Sequence, residues 1–359
     1  MAQFKFGSCA KSWLITAILV MIAIISASIP SFAASTIKNP TTPTLDIVKK
    51  NGFVRCGVTE RMPGFSTQSA DGSWVGFNAD FCRAIAAATL GDKKAVQIAD
   101  YWLDALIGKS IDVSLAGSTW TFSRDVNKKI DFPSIYFYDG QGFISHAAAG
   151  VKTLNEAKKK KGLRVCAIMQ TSTAALNLQD FIKKSNVEWT VVGVLTMDGM
   201  WRAFFGGRCD MAIHDRTALA GVLAGRLKGS QDFVVFPEVI SKEPLAPAVR
   251  QDDPKWHDLI TWVINVTIAA EELGITQANV DDMKAHSKLP NVQRLLGRET
   301  GFGKGFGLDE EWAYRIIKSV GNYGEIFDRN LGTGSDLKMS RGINNLWTSG
   351  GLLYAPPVR

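Results

Sequence analysis

The chain has 359 residues, of which 46% are apolar and 21% charged, and it carries a formal charge of +7. That length suits two ordinary domains of about 150 residues each. Basic and acidic residues are interspersed, without the clustered basic face and stacking aromatics that nucleic-acid binding needs.

The first 33 residues read as a leader. Lys5 and Lys11 precede an apolar run from Trp13 to Ile29, and Ser31-Phe-Ala33 offers small residues to a signal peptidase. Cleavage is expected after Ala33, giving an exported chain. The alternative is an uncleaved anchor, for which the run is short, since a bilayer span takes about 20 residues. Cys9 precedes the apolar run, so it is not placed for lipid attachment. Loss of two lysines lowers the formal charge from +7 to +5.

Beyond residue 34, two stretches alternate strand-like and helix-like segments, which predicts an α/β chain with parallel sheets. In the first, Gly52 to Val58 is expected as a strand, Asp80 to Thr89 as a helix and Ala95 to Ile98 as a strand. A short helix from Trp102 to Ile107 then leads to a strand over Ile111 to Leu115. Gly117-Ser-Thr-Trp-Thr-Phe-Ser-Arg124-Asp125 follows at once. A strand end with free amides, two threonine hydroxyls and a guanidinium is suited to a small carboxylate.

Ile135 to Ser145 is extended and aromatic-rich, after which the pattern restarts. Strands are expected over Leu163 to Ile168, Trp189 to Val194, Cys209 to Ile213 and Phe233 to Phe236. Helices are expected from Gln170-Thr-Ser-Thr173 to Ile182, from Met197 to Phe205 and from Ala218 to Arg226. Thr171, Ser172 and Thr173 open the first of these, where capping and anion binding use the same amides. Asp215 closes the third strand, where a carboxylate can accept an ammonium. His214 beside it should point to the opposite face. Lys242-Glu-Pro-Leu-Ala-Pro-Ala-Val249 is extended because its two prolines forbid helix.

Two extended segments thus bracket the second α/β unit, which predicts one lobe inserted into another, a two-strand hinge and a ligand cleft beneath it. The expected organisation is a first lobe from 34–140 and 242–359 and a second lobe from 141–241. Phe65 and Leu103, with Trp102 and Trp120, are candidates for apolar contact to a ligand. The C-terminal third is expected to carry helices over Trp256 to Glu271, Val280 to His286 and Glu310 to Val320. A glycine-rich tail of loops and short helices then wraps the first domain. Gly301 to Gly307 has glycine spacing like a phosphate loop, but it follows no strand and Lys304 has no hydroxyl residue after it, so it is read as a flexible loop.

Four cysteines remain after the leader: Cys56, Cys82, Cys166 and Cys209. They permit two disulfides in three pairings. Pairing within each stretch is preferred, with four buried thiols as the alternative. No metal site or cofactor is expected, since the cysteines lack CxxC spacing and lie far from the four histidines. Nucleophile-turn and HExxH signatures are absent.

Taken together, Gly64-Phe-Ser66, Asp80-Phe-Cys-Arg83, Thr119-Trp-Thr with Ser123-Arg-Asp125, Tyr138-Asp-Gly-Gln-Gly-Phe143, Leu176-Asn-Leu, Gly207-Arg-Cys-Asp210, Val239-Ile-Ser-Lys-Glu-Pro244, Gly321-Asn-Tyr-Gly-Glu325 and Gly351-Leu-Leu-Tyr-Ala-Pro-Pro357 carry a resemblance. The chain resembles the periplasmic solute-binding proteins of polar amino-acid ABC transporters, in their general L-amino-acid-binding branch. The resemblance implies a two-lobed type II periplasmic-binding-protein fold, a monomer that closes on an amino acid and docks on a membrane permease. It implies that Arg124 holds the α-carboxylate with Thr119, Thr121 and Thr173, that Asp215 holds the α-ammonium, and that Ser172 assists.

The chain departs from that pattern at Ala116-Gly117-Ser118, where relatives carry Arg-Asn, at Ala174-Ala175 and at His214-Asp215-Arg216. Leu103 stands where relatives have Phe. These changes surround the clamp, so selectivity is where this chain is expected to differ. The rival functions are an exported enzyme on the same fold, such as a dehydratase using His214 or Glu60 as acid or base, and a ligand-sensing module of a receptor.

Overall fold

The computed structural model describes residues 43–60, 62–169, 172–225 and 231–359. The leader, Gln170, Thr171 and Arg226 lie outside the described residues.

The first lobe is built on a three-stranded parallel sheet: β1 (Val54–Val58) lies between β2 (Val96–Asp100) and β3 (Val113–Ser114). Helix α1 (Phe77–Leu90) packs on β1 and β2 through Phe81, Ile85 and Ala88, all without solvent exposure. Gly91 ends it in the left-handed conformation, its N–H donating to the Ala87 carbonyl. After β3 come α2 (Phe122–Asn127) and the crossing strand β4 (Phe137–Asp139).

The second lobe begins only two residues later. Its five-stranded sheet is formed by β5 (Gln141–His146), β6 (Arg164–Ile168), β7 (Thr190–Val194), β8 (Met211–Asp215) and β9 (Phe233–Val235), in the order β7-β6-β8-β5-β9. This sheet is mixed rather than parallel throughout. β6, β7 and β8 are parallel, whereas β5 runs antiparallel to β8 and β9. The physical reason is connectivity: β5 enters straight from the hinge with no crossover helix before it, so it runs opposite to the strands that crossovers deliver. Helices α3 (Thr173–Ser185), α4 (Met197–Phe205) and α5 (Arg216–Gly225) cover this sheet.

The chain returns through β10 (Glu243–Leu245), which pairs antiparallel with β4 in the register Glu243 to Asp139 and Leu245 to Phe137. Gly140, at the joint, approaches the returning segment closely; a Cβ there would lie 2.9 Å from the Ser241 carbonyl oxygen. Helix α6 (Pro254–Glu272) starts with an Asp253 cap that accepts the Trp256 N–H, and it buries Leu259, Ile260, Val263 and Ile264.

The tail does wrap the first lobe. Helices α7 (Trp312–Val320) and α8 (Tyr323–Asn330) pack on α1 and α6, and Leu353 and Ala355 join the same apolar core. The second lobe keeps separate cores on the two faces of its sheet, around Phe143 and Trp189 on one and around Met200, Trp201 and Phe204 on the other. Gly301 to Gly307, read as a flexible loop, is an ordered turn: the Gly301 and Gly303 N–H groups donate to the Glu310 carboxylate at 2.9 Å each. Its glycines do bind an anion, but one the chain supplies.

Cys56 is bonded to Cys82, linking β1 to α1, and Cys166 to Cys209, linking β6 to the residues before β8. Among the described residues no helix is long and apolar enough to cross a membrane.

Candidate functional site

Between β3 and α2 the chain turns at Gly117, whose φ of +67° suits glycine. The next residues are pinned to the hinge. Trp120 N–H donates to the Pro244 carbonyl at 2.8 Å, and the Ala246 N–H donates to the Ser118 carbonyl at 3.1 Å. Thr121 then caps α2, its hydroxyl oxygen accepting the Arg124 N–H at 3.3 Å. This cap turns the Arg124 side chain back towards the hinge, where Nη1 donates to the Thr119 carbonyl at 2.8 Å.

Arg124 is only 8% exposed. Its guanidinium carbon lies 5.4 Å from the centre of the Trp102 ring, which Ser118 orients by accepting the indole N–H at 2.9 Å. Burial pulls the Arg124 pKa below its ordinary value, while the charges of Glu243 and Asp215 oppose that pull. A guanidinium stays charged under any such shift, so a cation sits at the floor of the hinge facing two carboxyl groups. Asp125, its neighbour in the chain, accepts the Trp120 indole N–H at 3.0 Å.

On the second lobe, Ser172 caps α3 by accepting the Ala174 N–H at 3.1 Å. Thr173 and Asn177 are four residues apart and therefore share one helix face. Both reach Glu243 on the hinge strand β10. Glu243 is 1% exposed and accepts four donors: Thr119 at 2.6 Å and Thr173 at 3.0 Å on Oε2, Ser241 at 2.6 Å and Asn177 at 2.9 Å on Oε1. Gln141 completes the network, donating to the Thr173 hydroxyl and accepting from Asn177, each at 2.8 Å.

Asp215, at the end of β8, is 8% exposed. Burial and the Glu243 charge push its pKa up to about 7, against a hydrogen bond from Gln141 and the charge of Arg124. Asp139 on β4 is also pushed up to about 7 by burial and by Asp215, although the Thr217 hydroxyl donates to it at 2.5 Å and the Gly140 N–H at 2.8 Å. His214 is pulled down to about 4 by burial. Its Nδ1 accepts the Asp215 N–H at 2.8 Å, which suits a neutral ring at neutral pH.

The structure brings Arg124, Thr119, Thr173 and Asp215 around one hinge carboxylate. It does not bring Phe65 and Leu103 there. Phe65 has no exposure and stacks edge-on against Phe137 and Phe77 at 5.1 and 5.6 Å, inside the first core. Leu103 is 1% exposed and packs with Leu106, Ile111 and Phe132. Both are apolar residues next to turns, and local sequence cannot say whether such a side chain points to core or cleft.

Sequence reasoning missed Glu243, Asp139, Gln141 and Asn177. A signal for Glu243 existed: it is the single ionisable residue between Lys242 and Arg250, in a run of Pro, Leu, Ala and Val.

Residues 54–278 match the family model of the bacterial extracellular solute-binding proteins, family 3. The chain is 44% identical over 322 residues to the general L-amino acid-binding periplasmic protein AapJ of Rhizobium johnstonii, covering 88% of this chain and 93% of that one. It is 43% identical over 320 residues to the putative amino-acid ABC transporter-binding protein YhdW of Escherichia coli K12, covering 88% and 92%. Among solved structures, a periplasmic binding protein of an ABC transporter from Brucella ovis with glutathione bound superposes with a TM-score of 0.83 and 41% identity, covering 88% of this chain and 99% of that one. The fold is therefore the two-lobed type II periplasmic-binding-protein fold, and the chain belongs to family 3 of the bacterial extracellular solute-binding proteins.

Proposed function

We propose that this family 3 protein captures an L-amino acid, or a small solute carrying the same zwitterionic end, outside the cytoplasmic membrane and delivers it to the permease of an ABC importer. The observation that carries this reading is the placement of Arg124 and Asp215. They are a guanidinium and a carboxyl group, each 8% exposed, one from each lobe and both at the hinge.

Arg124 offers a planar two-pronged donor to an α-carboxylate, and Asp215 offers an acceptor to an α-ammonium. Leaving either charge of a ligand unpaired in a closed cleft is costly, which makes the pair selective for zwitterions. The Thr121 hydroxyl accepts from the Arg124 N–H at 3.3 Å and lies 3.4 Å from the Ser123 hydroxyl, so it stands beside the clamp as a cap of α2. Thr119 and Thr173 each have one hydroxyl proton, and in this arrangement both protons point to Glu243. Their part is to hold the hinge, with ligand contact left to backbone groups. Ser172 keeps its place as a neighbouring cap.

The γ-glutamyl end of glutathione carries the same α-carboxylate and α-ammonium, so amino acids and such peptides fit one clamp. We read the chain as a binding protein rather than an enzyme, because the relatives it matches are named as binding proteins and burial pulls His214 down to about 4, which makes it a poor base at neutral pH. The lobes are proposed as 34–140 with 242–359 and as 141–241, in a monomer exported by its leader. A thermal-shift screen of the protein against the twenty amino acids and glutathione, with Arg124→Ala in parallel, tests this. A ligand that raises the melting temperature of the wild type and not of the variant supports the clamp. Full response of Arg124→Ala would remove it, and conversion of the bound solute to a product would favour the enzyme.

A further inference from the structure

Thr119 belongs to the first lobe, Thr173 and Asn177 to the second, and Glu243 to a strand that crosses between them. Yet Thr119 and Thr173 donate to the same oxygen, Oε2, while Asn177 and Ser241 occupy Oε1. Four donors for two oxygens leave this carboxylate well satisfied, in a position that is 1% exposed. Rotation of one lobe away from the other about β4 and β10 separates the donors of the two lobes. One side of the set must then release Glu243.

We infer that Glu243 is a latch residue that stabilises the closed arrangement of the lobes before any ligand arrives, and thereby sets ligand affinity without touching the ligand. The inference rests on the reading of this chain as a closing binding protein. A carboxylate buried with only part of its donors costs free energy, so the full set favours the arrangement in which both lobes contribute. Affinity follows by population. When only the closed form grips both ends of the ligand, the apparent dissociation constant is the intrinsic one divided by the closed fraction. Weakening the latch therefore raises the apparent constant while leaving the grip of Arg124 and Asp215 intact. Thr119 and Thr173 act here as positioning residues.

The test combines small-angle scattering with calorimetry on the wild type, Thr119→Val, Thr173→Val, Thr119→Ser and Glu243→Gln. Valine matches threonine in shape and each valine variant leaves Glu243 three of its four donors, so those variants are expected to fold even where Glu243→Gln does not. Without ligand, both valine variants are expected to show a larger radius of gyration than the wild type, and Thr119→Ser is expected to restore it. With L-glutamine as the probe, each valine variant is expected to weaken binding about threefold to tenfold, on the scale of one hydrogen bond. The effects of Thr119→Val and Glu243→Gln should not multiply, because the bond from the Thr119 hydroxyl to Glu243 is lost in both. Unchanged radii, or effects that multiply freely, would overturn the latch. If the wild type binds neither glutamine, the other amino acids nor glutathione, the proposed function falls, and the ligand-free radii alone decide the latch.

Discussion

Thr119 and Thr173 are 54 positions apart, and their hydroxyls meet on one oxygen atom of Glu243, at 2.6 and 3.0 Å. Arg124 and Asp215 lie close enough to that carboxylate for its charge to act on both. The hinge is thus a polar layer between the apolar cores of the two lobes.

Asn177 bridges two acceptors, Oε1 of Glu243 and Oε1 of Gln141. Asn177→Ala leaves both buried oxygens short of a donor and is expected to cost about 1–3 kcal/mol of stability. Asn177→Asp, which places a third acceptor there, should cost more. Urea denaturation of the two variants beside the wild type measures the order; equal stability of all three would contradict the network.

The carboxyls of Asp139 and Asp215 have folded pKa values raised to about 7, and His214 has one lowered to about 4. Their signs differ. Each raised carboxyl holds a proton in the folded state that it loses on unfolding above about pH 4, so stability falls as pH rises towards 7. The depressed histidine takes up a proton on unfolding below about pH 6.5, so its contribution rises with pH from about 4 to 6.5. One carboxyl offsets the histidine in that lower window. A net fall approaching 1.4 kcal/mol per pH unit is expected there for the ligand-free protein, steepening briefly towards pH 7. Melting temperatures across pH 5 to 8 check the slope.

An ammonium bound at Asp215 favours the ionised carboxylate, so ligand binding should expel a proton below about pH 7. Affinity for an amino acid is expected to rise from pH 5 to pH 8, by at most about tenfold per unit per proton. Calorimetry in two buffers of different ionisation enthalpy counts the protons. Proton uptake on binding would place the ammonium elsewhere.

The two disulfides span 26 and 43 positions. On the chain-entropy argument each contributes about 3–4 kcal/mol by restricting the unfolded chain. Cys166→Ser with Cys209→Ser should therefore destabilise strongly, and reductant should lower the melting temperature of the wild type but not further lower that bond's share in the variant. Chemical denaturation with and without reductant separates the two bonds.

Phe65→Ala separates core from cleft. Phe65 is enclosed by aromatic rings, so its truncation should cost about 3–5 kcal/mol of folding stability. A ligand-contact residue would instead lose affinity with little change in stability. Denaturation and calorimetry on the same variant distinguish the outcomes.

The order of strands and helices was legible because hydrophobic period and turn residues are local properties of the chain. Gly52 to Val58 contains β1, Met197 to Phe205 coincides with α4, and the proline-bounded Lys242 segment contains the returning hinge strand. Arg124 and Asp215 were legible for a similar reason: strand ends and helix starts are sites where free amides and charges collect, whatever lies beyond them. The direction of β5 was not legible, because alternation of residues does not say which neighbour a strand joins.

By itself, then, the sequence determined the α/β alternation and the inserted lobe, and it singled out Arg124 and Asp215 as candidates for the clamp proposed above. Only tertiary structure decided that Thr119, Thr173 and Asn177 converge on Glu243, and that Phe65 turns inward. Patterning acts between residues a few positions apart. A buried carboxylate is satisfied by whichever donors the packed lobes bring within about 3 Å, and closure of the fold makes that choice.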